Sequence, residues 1–493
     1  MRRMSMPTWP IPPRFSALPL GLAGLLITAV PGQAQLCPAQ LRPAIDQVLS
    51  QAPLDTAHVG ILLQTQAQSA GDRRTLYDRQ SQRLFTPASN VKLLTTAAAL
   101  HHLGPDHRWQ TTVTSTPGPG ELAVLQVSGQ GDPTLTENQL QSLAQQLYNQ
   151  GITQVSRLVL DDSYFPGPAT NPTWEWGDAQ FAYGAPANSL ILNQNARLVE
   201  VTPTQVGQPL EISWPDGQPP WPTLNYSRTV ATTDAAEPVR LWRAGHGDPM
   251  QATGQMAVGA APRRLNLAVL NPAQQFGVAL RQALEAESIT VLQTLITTTT
   301  APSPGDPLAT LQSPPLVELL VPTNQDSNNL YAEVLLNTLG VTYGSDRPND
   351  ATQAGTAAVK ALLADLGVNS APLRLADGSG LSRHNLVTPV ALVETLQVMA
   401  YHPDAAVFQD SLAVAGVSGT LRNRLTNTPL QNRVQGKTGA LTGNVSLSGY
   451  VQPPNYDPLV FSMVINQANQ HASTLRQGID EVLLLLGQLS REC

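Results

Sequence analysis

The spacing of apolar positions divides the chain into three stretches of different character. Residues 38–51 read as a short helix. Val59–Gln64 (VGILLQ) is an apolar run of strand length, and Arg74–Asp78 reads as its hairpin partner. Pro87 precedes a helical stretch from Ser89 to Leu103, which Gly104 closes. Proline near a helix start and glycine just past its end suit the two termini. His101 and His102 fall in the last turn of that stretch, where cations suit the helix dipole. With His107 they fit no standard metal-ligand spacing and have no evident acidic partner, so neither a metal nor a cofactor is expected.

From about 108 to 300 the pattern changes. Short Thr/Val-rich strands alternate with Pro/Gly turns, at Trp109–Ser115, Leu122–Ser128, Leu158–Asp161 and Leu198–Thr202. Helical periodicity interrupts them at Glu137–Asn149 and Ala273–Ala286. This predicts an inserted β-rich region over 108–300, with a nested unit at about 196–265. Thr300–Asp306 (TAPSPGD) has the composition of a linker. After it the chain returns to α/β character. Helices are predicted at Ser327–Leu339, Gly355–Leu366, Pro389–Ala400 and Thr474–Leu489. Strands are predicted at Val434–Thr438, Val445–Val451 and Leu459–Ile465. No internal repeat is visible.

The first 34 residues stand apart and read as a signal peptide. Arg2, Arg3 and Arg14 precede the apolar run Ala17–Val30, and Gly32-Gln33-Ala34 offers small residues at a cleavage site. The run is shorter than the ~20 residues of a typical membrane span. Leu36 immediately before Cys37 does not fit a lipoprotein signal. The expectation is an exported protein of the periplasm or cell-wall space, with no stable membrane span once the signal is removed. Its two cysteines, Cys37 and Cys493, lie at opposite ends of the mature chain. A disulfide between them is one reading, given an oxidising compartment and the tendency of chain ends to lie close together; two unpaired thiols are the other.

Composition sharpens the picture at one point. Of 493 residues only 13% are charged, and the net charge is −7 with no basic run, which argues against nucleic acid and acidic membrane surfaces. Of the 28 basic residues, only Lys92, Lys360 and Lys437 are lysines. Arginine supplies fixed positive charge elsewhere, so each lysine marks a place where a deprotonatable amine was kept. Codon usage is the alternative reason for their scarcity.

Two of the three lysines fall within short motifs. Ser89-Asn90-Val91-Lys92 is a Ser-x-x-Lys at a helix start, Ser327-Asn328-Asn329 is a Ser-x-Asn at the start of another helix, and Lys437-Thr438-Gly439 lies on a predicted strand. Each alone is a common turn or cap. Their order and secondary-structure context give the conjunction its weight. Residues three apart share a helix face, so Ser89 Oγ and Lys92 Nζ can meet. A serine hydroxyl needs an adjacent base, and lysine is a base only when neutral. From a free pKa of about 10.4, half-neutralising it near pH 7 takes roughly 4–5 kcal/mol. Burial pushes that way, and so does a second cation, for which Lys437 is the candidate. Lys360, in AAVKA, reads as an ordinary helix-surface residue.

With these motifs the sequence resembles the D-alanyl-D-alanine carboxypeptidase/endopeptidase family, the low-molecular-mass class C penicillin-binding proteins. The resemblance extends through Pro87-Ala88-Ser89-Asn90-Val91-Lys92, Gly129–Leu135 (GQGDPTL), Asp161–Phe165 (DDSYF), Tyr183–Pro186 (YGAP), Asp377–Arg383 (DGSGLSR) and Ala415–Arg422 (AGVSGTLR), across nearly the whole mature chain. It implies a penicillin-recognising, serine transpeptidase-like α/β (α+β) domain at 35–107 and 301–493, split in sequence by the large β-rich insertion. The long gap between Ser89 and Ser327 argues against an ordinary β-lactamase. One departure is Asn328, where the family often carries Asp.

By this resemblance Ser89 is the nucleophile and Lys92 the general base. Ser327 relays a proton, and Asn329 holds the substrate amide and orients Lys92. Lys437, Thr438 and Gly439 belong to the carboxylate-binding strand, and the N–H groups of Ser89 and Ala440 form the oxyanion hole. Asp161, Arg383 and Thr442 match positions that contact the free end of the stem peptide. The implied partners are peptidoglycan stem peptides and β-lactam antibiotics. The alternatives are a β-lactamase-like hydrolase and a catalytically idle wall-binding protein. The sequence carries no signal for an oligomeric state.

Overall fold

The computed structural model describes residues 35–52, 54–117, 123–215, 217, 221–231, 237–245, 248–299, 307–344 and 346–492. The expected signal peptide, the linker Thr300–Asp306 and Cys493 lie outside the described residues. The first and last parts of the chain meet in one six-stranded antiparallel sheet. Its order is Ala413–Val414, Val434–Leu441, Asn444–Val451, Leu459–Asn466, His58–Thr65 and Thr75–Arg79. The two halves join where His58–Thr65 pairs along its whole length with Leu459–Asn466, from His58↔Asn466 to Thr65↔Leu459.

Every residue of Leu459–Asn466 is buried, as a strand covered on both faces requires. The two-residue period sorts its side chains into separate cores. Leu459, Phe461, Met463 and Ile465 face the helices Pro38–Leu49 and Ala472–Gly487. Val460 and Val464 face the opposite layer, where Val91–Leu103, Asn329–Thr342, Ala351–Asp365 and Pro389–Met399 pack together. The result is helices on both sides of a sheet. Val91–Leu103 is buried at every position from Val91 to Leu100, which makes it the central helix of its layer. Truncating the fully buried Phe461 to alanine is worth about 3–5 kcal/mol by the usual cost of such cavities.

The β-rich part forms a second six-stranded sheet. Thr290–Val291, Gln154–Asp161, Ala123–Gly129, Gln110–Pro117 and Pro307–Gln312 lie in that order, and Thr294–Thr297 also pairs with Gln154–Asp161. Helices Glu137–Asn149 and Pro272–Ala286 cover its apolar side chains. The boundary expected at residue 300 is displaced. Pro307–Gln312 runs antiparallel to Gln110–Pro117, with Gln312 opposite Gln110, so the inserted sheet ends only at residue 312. Three small sheets built from strands between Ala196 and Ala268 surround a separate cluster that includes Val199, Leu241, Met250 and Leu267.

The ends of the described chain are tied together. Leu36 N–H donates to the Gln488 carbonyl (2.8 Å), and Ser490 N–H donates to the Leu36 carbonyl (3.1 Å). Cys37 beside them is disulfide-bonded. No helix among the described residues is long and apolar enough to cross a membrane.

Candidate active site

Two backbone distortions set the site. Ser89 lies in a short 3₁₀ turn, Ala88–Asn90, and the α-helix begins only at Val91, two residues later than the sequence pattern predicts. Ala88 has φ 49°, in the left-handed region that L-residues rarely adopt. The crossing loop at Gly380 has φ +83°, and a Cβ there would lie 1.9 Å from the Ala88 carbonyl oxygen, so only glycine fits. Ser327 is the second distortion, with φ 63°. That conformation cannot continue a helix, so the predicted helix start at Ser327 moves to Asn329. Asn328 caps it by accepting the Tyr331 N–H. Strained residues of this kind collect at functional sites because the surrounding structure holds them there.

Lys92 is fully buried. Its Nζ lies 3.1 Å from Ser89 Oγ, 2.6 Å from Asn329 Oδ1 and 2.6 Å from the Ser379 carbonyl oxygen. The first two motifs therefore converge although they are far apart in sequence. Burial pushes the Lys92 amine down to about 7, against the opposing pull of Asp377 and Glu333. Lys437, the expected second cation, lies close enough for the two amines to oppose each other's charge, since repulsion between like charges is mutual. Burial first, then Lys92, hold it well below the usual lysine range, and Asp326 acts against them.

Lys437 is also fully buried, on the strand Val434–Leu441. Its Nζ donates to the Thr438 carbonyl (2.9 Å). This strand and its neighbour Asn444–Val451 are both fastened to the turn that carries Ser89. Asn90 Nδ2 donates to the Lys437 carbonyl (2.9 Å), and Ser446 Oγ, opposite Gly439, donates to the Pro87 carbonyl (2.7 Å). A Cβ at Gly439 would meet that carbonyl oxygen at 2.7 Å, so glycine permits the contact. Thr438 Oγ1 donates to Thr420 Oγ1 (2.8 Å) in the short turn Gly419–Leu421. Ala440 and Thr442 are exposed at the end of the strand and in the following turn.

The remaining expected residues are held by other parts of the chain. Asp161 is buried at the end of its strand and accepts from Gln126 Nε2 (3.2 Å), Ser128 Oγ (3.2 Å) and Ser163 N–H (3.0 Å). The Arg383 guanidinium pairs with Glu175 (3.0 Å) and Asp178 (3.1 Å). Both carboxylates precede Tyr183, whose carbonyl accepts from Asn329 Nδ2 (2.7 Å). The inserted region thus supplies a direct bond to the Ser-x-Asn motif.

Two buried acids were not anticipated as site residues. The Asp377 carboxylate accepts from Trp174 Nε1, Ser379 Oγ, Gly380 N–H, Ser382 N–H and Asn385 Nδ2, which fixes the loop that crosses Ala88. Glu333 accepts from the N–H groups of Gly378 (3.1 Å) and Ser379 (2.9 Å). Burial, and next the neighbouring Asp377, push the Glu333 carboxyl up to about 8. The available sequence signal was an acid four residues after Asn329, and therefore on the same helix face, within a run that is otherwise apolar or small. Among the described residues no group of three or more His, Cys, Asp or Glu side chains could hold a metal ion.

A family model described as D-Ala-D-Ala carboxypeptidase 3 (S13) matches residues 41–485. A D-alanyl-D-alanine carboxypeptidase of Actinomadura sp. is 33% identical over 447 residues, covering 87% of this chain and 81% of that one. The D-alanyl-D-alanine carboxypeptidase DacB of Haemophilus influenzae is 28% identical over 430 residues, covering 85% and 87%. The crystal structure of penicillin binding protein 4 (dacB) from H. influenzae matches with a TM-score of 0.80 at 26% identity, over 89% of this chain and 97% of that one. A structure of the same protein complexed with a β-lactam matches with a TM-score of 0.76 at 26% identity, over 90% and 99%. Site geometry, architecture and these matches agree that the chain belongs to the S13 family of D-Ala-D-Ala carboxypeptidases.

Proposed function

We propose that the protein is an exported serine D,D-peptidase acting on peptidoglycan through a Ser89 acyl-enzyme. It cleaves the terminal D-Ala-D-Ala bond of stem peptides as a carboxypeptidase and the D-Ala-diaminopimelate cross-link as an endopeptidase. The observation that carries this reading is the set of three partners around Lys92 Nζ. A neutral amine has two N–H bonds and one lone pair. Asn329 Oδ1 and the Ser379 carbonyl can only accept, so they take the two N–H bonds. The lone pair is left for Ser89, the one partner with a proton to give. With burial pushing Lys92 down to about 7, the neutral form is well populated at neutral pH.

The steps follow from this arrangement. Ser89 Oγ bonds to the carbonyl carbon of the penultimate D-alanine as its proton passes to Lys92 Nζ. The N–H groups of Ser89 and Ala440 stabilise the oxyanion. The C–N bond then breaks, and the proton reaches the departing amine through Ser327. Water then attacks the ester carbonyl as Lys92 takes one of its protons; the C–O bond to Ser89 breaks, and Lys92 passes that proton to Ser89 Oγ, which releases the acid. Lys437 and Thr438 bind the substrate's terminal carboxylate, which favours the charged form of Lys437 despite its burial. Asp161, Arg383 and Thr442 line the path of the stem peptide. A β-lactam acylates Ser89 in the same way and is released slowly. The signal-like N-terminus supports delivery to the periplasm or cell-wall space.

Labelling of the purified protein with a fluorescent penicillin tests the reading. A stable covalent adduct on the parent, absent from Ser89→Ala, is expected. No adduct, or rapid turnover of the penicillin without one, would overturn it. Digestion of cross-linked muropeptides measures the two peptidase activities directly.

A further inference from the structure

Both fixed acceptors of Lys92 depend on one turn of one helix. Asn329 stands at its start and accepts directly. The other acceptor, the Ser379 carbonyl, lies in a loop that has no secondary structure to hold it. One helical turn after Asn329, the 3% exposed Glu333 accepts the N–H groups of Gly378 and Ser379, on both sides of the peptide link between them. Close approach secures the same contact. A Cβ at Gly378 would lie 2.7 Å from the Ala332 carbonyl oxygen, so the loop can lie directly against the helix backbone only with glycine there. Asp377 fixes the far side of the loop through its five donors.

We infer that Glu333 is a positioning residue for acylation: by anchoring the 378–379 backbone it aims the Ser379 carbonyl at Lys92 and thereby turns the Lys92 lone pair toward Ser89. The inference rests on Lys92 acting as the base. The reach of the Glu333 side chain does this work, and its charge does not. The charged or titratable groups that bear on Glu333 are Asp377 and Lys92. Burial and Asp377 favour its protonated form, in which its carboxyl oxygens still accept the two N–H bonds.

Two near-isosteric variants separate reach from charge. Glu333→Gln keeps the acceptor oxygen in place and removes the ionisable group. Glu333→Asp keeps the group and withdraws it by one methylene. Acylation rate constants per molecule are measured with fluorescent penicillin, kcat and KM with a D-Ala-D-Ala peptide, and the folded state by thermal midpoint. Glu333→Gln should stay within about threefold of the parent. Glu333→Asp should lose about 10²-fold in acylation and kcat with KM unchanged, the size expected for a misplacement of about 1 Å. Parent-like rates in Glu333→Asp, or a Glu333→Gln as slow as Glu333→Asp, would overturn the inference while Ser89 labelling of the parent stands. A parent with no Ser89-dependent label would overturn the acyl-enzyme reading as well.

Discussion

The two sides of the nucleophile are built on opposite plans. On the helical side, Lys92 is enclosed by three partners, and behind them Glu333 and Asp377 hold the loop that supplies one of the three. On the strand side, Lys437 is equally buried, yet its Nζ donates to a single acceptor, the Thr438 carbonyl, among the described residues. Among the described residues the Thr438 hydroxyl reaches only the exposed Thr420. The charged form of Lys437 would leave buried donors unmatched, which is costly, so burial favours the neutral amine until an anion is at hand. The helical side is therefore satisfied by the chain's own groups, whereas the strand side keeps capacity for an anion. On the proposed function, the same residue type serves as a base where its hydrogen bonds are satisfied and as a receptor where they are not.

This contrast can be broken most directly at Lys92. Lys92→Arg should lower penicillin acylation by about 10²–10⁴-fold, the usual worth of a general base, because arginine stays protonated. Labelling at the parent rate would remove the distinction between the two sides. In the unaltered protein the acylation rate should fall about tenfold per pH unit below 7 and level off above it. The sign follows from burial lowering Lys92 to about 7: the amine is neutral and basic above that value and protonated below it. A stopped-flow rate profile checks this. Lys437→Met should act on binding, raising KM for a peptide with a free terminal carboxylate by about 10- to 100-fold, in line with a charge-assisted hydrogen bond. The same change should have little effect on a substrate whose terminus is amidated. Thr420→Val should raise KM by about 2- to 10-fold and spare kcat, since it removes one neutral hydrogen bond at the rim. The control is Lys360→Arg, on the half-buried flank of Ala351–Asp365, which should stay within about 0.5 kcal/mol of the parent in stability and leave acylation unchanged.

On both sides of the site the sequence showed what near neighbours encode and little else. A run such as Leu459–Asn466 declares itself by length and β-branching, and Ser89 and Lys92 by local spacing, because both signals depend on near neighbours. The second row of groups behind Lys92 offers only a faint one, an acid on the same helix face as Asn329. Glu333 matters through two backbone N–H groups of a distant loop, and backbone donors carry no residue identity. Arg383 shows the reverse limit: the resemblance implies a substrate contact, but only folding reveals that Glu175 and Asp178 already hold its guanidinium. The boundary near residue 300 was misplaced because Pro, Gly and Ser mark a loop without saying whether it joins two domains or two strands of one sheet. Pro307–Gln312 answers that by its pairing with Gln110–Pro117.

The pairing of His58–Thr65 with Leu459–Asn466 also orders events in time. The early strand keeps an unpaired edge until almost the entire chain has been made, and contacts between such distant segments form slowly. The inserted sheet is free to form in the interval, since its first strand and its last, Gln110–Pro117 and Pro307–Gln312, are neighbours. Ser89 therefore meets Lys437 only after the last hairpin docks. A prematurely terminated chain carries the serine without the pocket, so on the proposed function reactivity toward β-lactams would report completion of the fold.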